Sequence, residues 1–138
     1  MTNPIVTGVI DHLRLTVTDV DRSRHFYVTV LGFQVVMEMP NGVLLTNGRL
    51  LVGLGPAPDA NKANPDDSFD ENRVGLDHLS FSVSSRADLE NAIQVFDTHN
   101  VPHGEIKDIG PGARVYILAF RDPDNIQLEL TAPYGSEQ

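Results

Sequence analysis

The sequence predicts an α+β fold built from two βαβββ modules. The tripeptide Asp-His-Leu occurs at residues 11–13 and again at residues 77–79, about half the chain apart. Each copy lies in a strand-like segment that is followed by apolar residues at helical spacing. Three further strand-like segments then follow each helical segment. The order strand, helix, three strands therefore occurs twice, which indicates an internal repeat.

The first module begins with a predicted strand over residues 10–17. Residues 18–21 are of helix-capping types, and Gly32 marks the end of the helix that follows. The apolar face of this helix consists of Phe26, Tyr27, Val30 and Leu31. Strands are then predicted at residues 33–39, 43–46 and 49–54, with Asn47 and Gly48 in a hairpin turn.

The second module begins with a predicted strand over residues 76–83. Ser85 and Asp88 predict a capping box at the start of its helix, which ends before Pro102. Its three strands are predicted at residues 105–109, 113–120 and 126–131, with a turn at residues 122–125.

The chain length predicts one domain over residues 1–138. Module one covers about residues 8–54 and module two covers about residues 75–133. Between them, prolines and acidic residues over about residues 55–74 indicate a polar linker.

The composition excludes several classes of function. A formal charge of -9 makes nucleic acid a poor partner, because a surface that follows phosphates has to be basic. There is no cysteine, so a metal ion has to be bound by His, Asp or Glu. There is no signal-peptide pattern and no apolar run long enough to span a membrane. We therefore expect a soluble cytoplasmic protein.

Polar residues alternate with apolar residues along three predicted strands. Since alternate residues of a strand share a face, each of these strands has one polar row. The rows are His12, Arg14 and Thr16, then His78, Ser80 and Ser82, and finally Gln127, Glu129 and Thr131. Two equivalent histidines and one carboxylate form a set that binds divalent metal ions.

This arrangement resembles the vicinal oxygen chelate superfamily. That superfamily includes glyoxalase I, extradiol dioxygenases, fosfomycin-resistance proteins, methylmalonyl-CoA epimerase and metal-free bleomycin-binding proteins. The resemblance covers residues 9–133 and depends on the two Asp-His-Leu strands, on residues 25–27 with 31–33, and on residues 121–130. It implies a cup-shaped, glyoxalase-like fold, with a metal ion in the cup and two neighbouring substrate oxygens bound to that ion.

The resemblance also implies roles for particular residues. His12, His78 and Glu129 correspond to the metal ligands, for which Fe, Mn, Ni and Zn are all candidates. Glu129 is in addition the candidate catalytic residue, and Arg14, Ser80 and Gln127 are candidates for substrate binding. Family members of this size commonly form homodimers, so a site can take ligands from both chains.

Two positions differ from particular branches of the superfamily. The fourth ligand of glyoxalase I would fall at residues 51–53, where no side chain can coordinate a metal. Extradiol enzymes have a tyrosine where this chain has Ala119. The first difference weakens an assignment to glyoxalase I and favours the three-ligand branches, which include the dioxygenases and the fosfomycin-type transferases. The second favours a glyoxalase-like, metal-dependent lyase or isomerase, acting on a small oxygenated substrate, over a dioxygenase. An extradiol-type dioxygenase and a metal-free antibiotic-binding protein remain alternatives. We expect an apolar cup wall from Leu50, Val52 and Leu54.

Overall fold

The computed structural model describes residues 2–135, which divide into two compact units. Unit one ends at Ala63 and unit two begins at Asn64. Met1 and residues 136–138, which the predicted domain includes, lie outside the described residues. Each unit contains one of the two predicted modules.

Unit one contains one helix and a four-stranded sheet. Its elements are β1 His12–Thr16, α1 Val20–Thr29, β2 Gln34–Met39, β3 Gly42–Thr46 and β4 Leu51–Gly55. The strand order is β1-β4-β3-β2, with β1 parallel to β4 and the other neighbours antiparallel. After β4 the chain forms one short 3₁₀ turn at Ala60–Lys62.

Unit two repeats this topology. Its elements are β5 Leu79–Ser82, α2 Arg86–Thr98, β6 Lys107–Asp108, β7 Val115–Arg121 and β8 Gln127–Pro133. The strand order is β5-β8-β7-β6, with β5 parallel to β8. The two βαβββ modules and the α+β class are therefore confirmed.

Both helices begin at the predicted capping residues. Asp19 precedes α1, and its side chain accepts a hydrogen bond from the backbone nitrogen of Arg22 at 3.1 Å. Ser85 precedes α2 and forms a reciprocal capping box with Asp88. Gly32 follows α1 with a φ of 72°, a conformation that glycine adopts without steric cost.

The helix of each unit covers one face of its sheet. In unit one this face is formed by buried residues that include Leu15, Val43, Leu45, Val52 and Leu54. In unit two it includes Leu118, Phe120, Leu128, Leu130 and Ala132. The face opposite the helix is called the open face below. The alternating burial of β1 and β8 places the predicted polar rows of these strands on the open faces.

The second half of the linker is attached to unit two. The backbone nitrogen of Phe69 donates to the carbonyl of Asp124 at 2.9 Å, and the side-chain amide of Asn125 donates to the carbonyl of Phe69 at 3.0 Å. Residues 69–71 are thereby held against the turn between β7 and β8. Within residues 2–135 no helix has the length and apolar character needed to cross a membrane.

Candidate metal centre

Each unit presents a histidine whose ring is oriented by the preceding aspartate. Nδ1 of His12 donates to Asp11 Oδ1 at 2.6 Å, and Nδ1 of His78 donates to Asp77 Oδ1 at 2.7 Å. A proton on Nδ1 leaves Nε2 of the neutral ring with a free lone pair. Histidines that ligate metals are commonly oriented in this way by a carboxylate. Both copies of the repeat therefore have Nε2 available for a metal ion.

His78 and Glu129 lie together in unit two. Nε2 of His78 is 3.6 Å from Oε1 of Glu129, whose side chain is only 13% exposed. Two ligands of one tetrahedral Zn²⁺, each about 2.0 to 2.1 Å from the ion, would be about 3.3 Å apart. A movement of a few tenths of an ångström would suit both atoms to one ion, so this pair fits the predicted metal.

The third predicted ligand, His12, belongs to unit one, where its side chain is 63% exposed. The part of the chain that the structure describes contains no group of three or more His, Asp or Glu side chains placed to hold a metal ion. Within unit two, the structure places two of the predicted ligands, His78 and Glu129, beside each other.

The pKa of His78 is raised above its usual value of 6.5. The main cause is the hydrogen bond to Asp77, and the negative charge of Glu129 adds to the effect, whereas partial burial opposes it. A carboxylate pair that favours a proton on this ring also favours a divalent cation at the same position. A metal ion at this position would have to displace that proton, so its binding would depend on pH.

Gln127 forms hydrogen bonds that connect Asp77 to Arg121. Its amide nitrogen donates to Asp77 Oδ1 at 3.0 Å and to the Asp77 carbonyl at 3.2 Å. Its amide oxygen accepts from Arg121 Nη2 at 3.3 Å. The predicted substrate-binding side chain of Gln127 is thus bonded at both ends to protein groups.

Arg121 in turn binds Glu71 of the linker. The two side chains form a two-bond ion pair, with both N–O distances at 2.9 Å. This pair lowers the pKa of Glu71 from 4.5 to about 2 and raises that of Arg121. Sequence reasoning missed Glu71, because its partner lies 50 residues away. The available signal was Arg121 itself, a basic residue at the start of an acidic turn.

Glu129 has two neighbours on the adjacent strands. Ser80 of β5 and Ala119 of β7 are its register partners. The Ser80 hydroxyl hydrogen-bonds to that of Thr131, so it lies beside Glu129 on the open face. Ala119 offers no hydroxyl at the position where an extradiol enzyme has its tyrosine.

The predicted apolar wall from Leu50, Val52 and Leu54 is wrong at Val52 and Leu54. Val52 and Leu54 are fully buried, and their register partners are Leu13 and Leu15 of β1, on the helix side. The residues of β4 that share the open face with His12 and Arg14 are instead Leu51, Gly53 and Gly55. None of these three can donate a fourth metal ligand.

Arg14 lies on the open face of unit one, two residues after His12. The register pairs Arg14 with Gly53. Its side chain extends over β4, where Nη1 would be 3.4 Å from a Cβ atom placed on Gly53. The predicted substrate-binding residues are therefore divided, with Arg14 in unit one and Ser80 and Gln127 in unit two.

Comparison with known proteins supports this assignment of fold. An Escherichia coli (strain K12) protein described as uncharacterised, YaeR, is 30% identical over 130 residues, which is 88% of this chain and 93% of YaeR. The metallothiol transferase FosB of Staphylococcus saprophyticus is 24% identical over 88% of this chain and 74% of its own. A crystal structure of a glyoxylase/bleomycin resistance protein/dioxygenase domain from Frankia sp. EAN1pec superposes with a TM-score of 0.74. The two are 28% identical, and 96% of each chain is covered.

Residues 9–130 match the family model of the Glyoxalase/Bleomycin resistance protein/Dioxygenase superfamily. This match covers both copies of the repeat, both Asp–His pairs and Glu129. The chain therefore belongs to the glyoxalase/bleomycin resistance protein/dioxygenase superfamily.

Proposed function

We propose that this protein is a metal-dependent lyase or isomerase. In this proposal His12, His78 and Glu129 bind one divalent ion, and the substrate is a small molecule with two adjacent oxygens. The supporting observation is that both Asp–His pairs have the same geometry and that Glu129 lies 3.6 Å from one of them. A sheet face that is only exposed to solvent has no need of an aspartate hydrogen-bonded to each of two equivalent histidines.

A divalent ion at this position would act as a Lewis acid toward the substrate's adjacent oxygens. The protein groups around it would then bind the substrate and move its protons. Glu129 is the carboxylate of the proposed site and can accept a proton and return it. Ser80, beside Glu129, offers a hydroxyl that can orient the substrate.

Gln127 has a different role in this proposal from the one first predicted. Its amide is bonded to Asp77 on one side and to Arg121 on the other. We assign it to holding Asp77 and therefore the ring of His78. Substrate binding then falls to Ser80 in unit two and Arg14 in unit one.

We further propose that the site is completed in a homodimer, with His12 of one chain joining His78 and Glu129 of the other. The superfamily to which the chain belongs often forms dimers, which supports this arrangement. The edge strand β2 also exposes apolar side chains, which a second copy could cover. These are Val35, Val36, Met37 and Met39, between 38% and 53% exposed.

The reaction class can be tested by proton exchange. Protein loaded with Mn²⁺, Ni²⁺ or Zn²⁺ is incubated in D₂O with 2-hydroxy aldehydes and 2-hydroxy ketones, and NMR follows the proton on the hydroxyl-bearing carbon next to the carbonyl group. We expect exchange with at least one metal, which Glu129→Gln abolishes and Glu105→Gln, at an exposed position, retains. Exchange that persists unchanged in Glu129→Gln would contradict this role for Glu129.

An extradiol-type dioxygenase is the second candidate. Two histidines and one carboxylate are also the ligand set of non-haem Fe(II) oxygenases. Ala119 disfavours it, because no acid or base lies at that register position opposite Glu129. Anaerobic loading with Fe(II), addition of catechols and then of oxygen tests it. Ring-cleavage colour that is lost in Glu129→Ala would establish this candidate instead.

A metal-free binding protein is the third candidate, because the superfamily to which the chain belongs includes bleomycin resistance proteins. Such a protein would bind a drug-like molecule equally well before and after treatment with a chelator. The proposed enzyme would lose its ligand affinity on chelation. Calorimetry with and without chelator distinguishes the two.

A further inference from the structure

The side chain of Arg14 lies directly over two glycines of β4. A Cβ atom on Gly53 would be 3.4 Å from Nη1 of Arg14, and one on Gly55 would be only 2.8 Å from Cζ and would overlap Nη2. Any other residue at position 55 would displace the guanidinium. The two glycines thus leave the space that the arginine occupies.

The corresponding place in unit two contains an acid. The pairing of Arg14 with Gly53 in unit one corresponds to that of Ser80 with Glu129 in unit two. In the same way, Gly55 corresponds to Thr131. Where one copy of the repeat has a carboxylate and a hydroxyl, the other has two glycines beneath a guanidinium. In unit one the guanidinium of Arg14, on β1, therefore lies over the β4 position that corresponds to Glu129.

Arg14 has no partner in the part of the chain that the structure describes. Arg24, Arg86 and Arg121 each form an ion pair with a glutamate. Among residues 2–135, by contrast, Arg14 forms no ion pair and no hydrogen bond, although the sequence contains 19 acidic residues. A positioned and unpaired guanidinium is a binding group for a planar or tetrahedral oxyanion.

We propose that Arg14 binds an anionic group of the substrate, a carboxylate or a phosphonate, and so determines substrate class. This inference rests on the proposed function, because it takes His12 to be a metal ligand. Alternate residues of a strand are about 6.6 Å apart on one face, so Arg14 accompanies His12 whichever chain completes the site. The substrate would therefore have its anionic group a few bonds away from its two metal-binding oxygens.

Three hydroxamates test this inference. Hydroxamates bind divalent ions through two adjacent oxygens, and butyrohydroxamate, succinic monohydroxamate and 3-phosphonopropionohydroxamate differ only in a methyl, carboxylate or phosphonate tail. Their dissociation constants are measured by calorimetry on Zn²⁺-loaded protein, on Arg14→Gln and on Arg49→Gln. The last variant removes the same charge from an exposed loop position of unit one.

We expect at least one charged-tail compound to bind about tenfold more tightly than the methyl-tail compound to the unaltered protein. Arg14→Gln should remove this preference without weakening the methyl-tail compound, and Arg49→Gln should keep it. Whichever charged tail is preferred identifies the anion. Equal binding of all three compounds, or a preference that survives Arg14→Gln, would overturn the role of Arg14. Failure of all three to bind would instead overturn the metal site itself.

Discussion

The side-chain amide of Gln127 and the carboxylate of Asp77 are joined by a hydrogen bond of 3.0 Å. The same Asp77 oxygen accepts the Nδ1 proton of His78. Gln127 thus fixes the position of the Asp77 carboxylate, and Asp77 in turn orients the ring of His78. In unit one the register position that corresponds to Gln127 is Leu51, which cannot support Asp11 in this way. The two Asp–His pairs therefore share their geometry but differ in what fixes it.

Removing the carboxylates behind the histidines should weaken metal binding. Asp77→Asn and Asp11→Asn take away the charge that favours a cation and leave a weaker, neutral acceptor to set the ring orientation. Each change should raise the dissociation constant for Zn²⁺ by about 10- to 100-fold, as measured by competition with a chromogenic chelator. Asp66→Asn, at an exposed linker position, is the matched control. Unchanged affinity in both variants would exclude the two pairs from the site.

Gln127→Leu gives unit two a leucine, the residue that unit one has at the corresponding position 51. If Gln127 positions His78 through Asp77, the variant should bind metal several-fold more weakly even without substrate. If Gln127 instead contacts the substrate, metal affinity should be unchanged and only the binding of substrate-like ligands should fall. Calorimetry with Zn²⁺ alone, and then with butyrohydroxamate, separates these two roles.

His103 should make stability depend on pH. Its Nε2 donates to Asp97 Oδ1 at 2.7 Å and its Nδ1 donates to the carbonyl of Gly104 at 2.6 Å. Both partners are acceptors and therefore favour the charged form of the ring, and the pKa of His103 is raised above 6.5 chiefly by the hydrogen bond to Asp97. The stabilisation is therefore complete below about pH 6.5 and is lost as the pH rises through the higher folded-state pKa.

The corresponding measurement is thermal unfolding in the presence of EDTA between pH 5.5 and 8.5. His103→Gln should unfold with about 1 kcal/mol less stability at pH 5.5, and the difference should shrink as the pH rises. His99→Gln, at an exposed position near the end of α2, serves as the control. A difference that grows with pH would contradict this assignment.

Mixed dimers test whether the site is shared. A chain with His12→Ala and a chain with Glu129→Ala each lack one ligand and should bind Zn²⁺ weakly when alone. In a mixed dimer with shared sites, one site loses both groups and the other keeps all three. Differently tagged chains, refolded together and purified as the mixed dimer, should then bind one ion tightly. If they bind no better than either parent, His12 does not cross between chains.

Much of the fold was predictable because its signals are local. Capping residues, helical spacing and alternation lie within short segments, and the repeated Asp-His-Leu pairs one module with the other. The short strand β6 is an exception, since only Lys107–Asp108 of the predicted 105–109 segment pairs. Pairing there depends on a neighbouring strand, which the segment itself does not encode.

The errors at the candidate site have the same origin. Alternation places His12 and Arg14 on one face of β1, but it does not say which residues of β4 share that face. The register of β1 with β4, in which His12 pairs with Leu51, determines which residues share that face. This register places Val52 and Leu54 on the helix side. The contact between Glu71 and Arg121 likewise depends on a chain path that no local pattern records.

The central claim is that His12, His78 and Glu129 bind a divalent ion, and metal content tests it most directly. The protein is purified without chelators and analysed by elemental analysis and by Zn²⁺ titration, together with the triple variant His12→Ala, His78→Ala, Glu129→Ala. A second triple variant, His25→Ala, His99→Ala, Glu105→Ala, removes the same residue types at exposed positions elsewhere. We predict one tightly bound ion per chain in the unaltered protein and in the second variant, and none in the first. Equal metal content in all three proteins would contradict the claim.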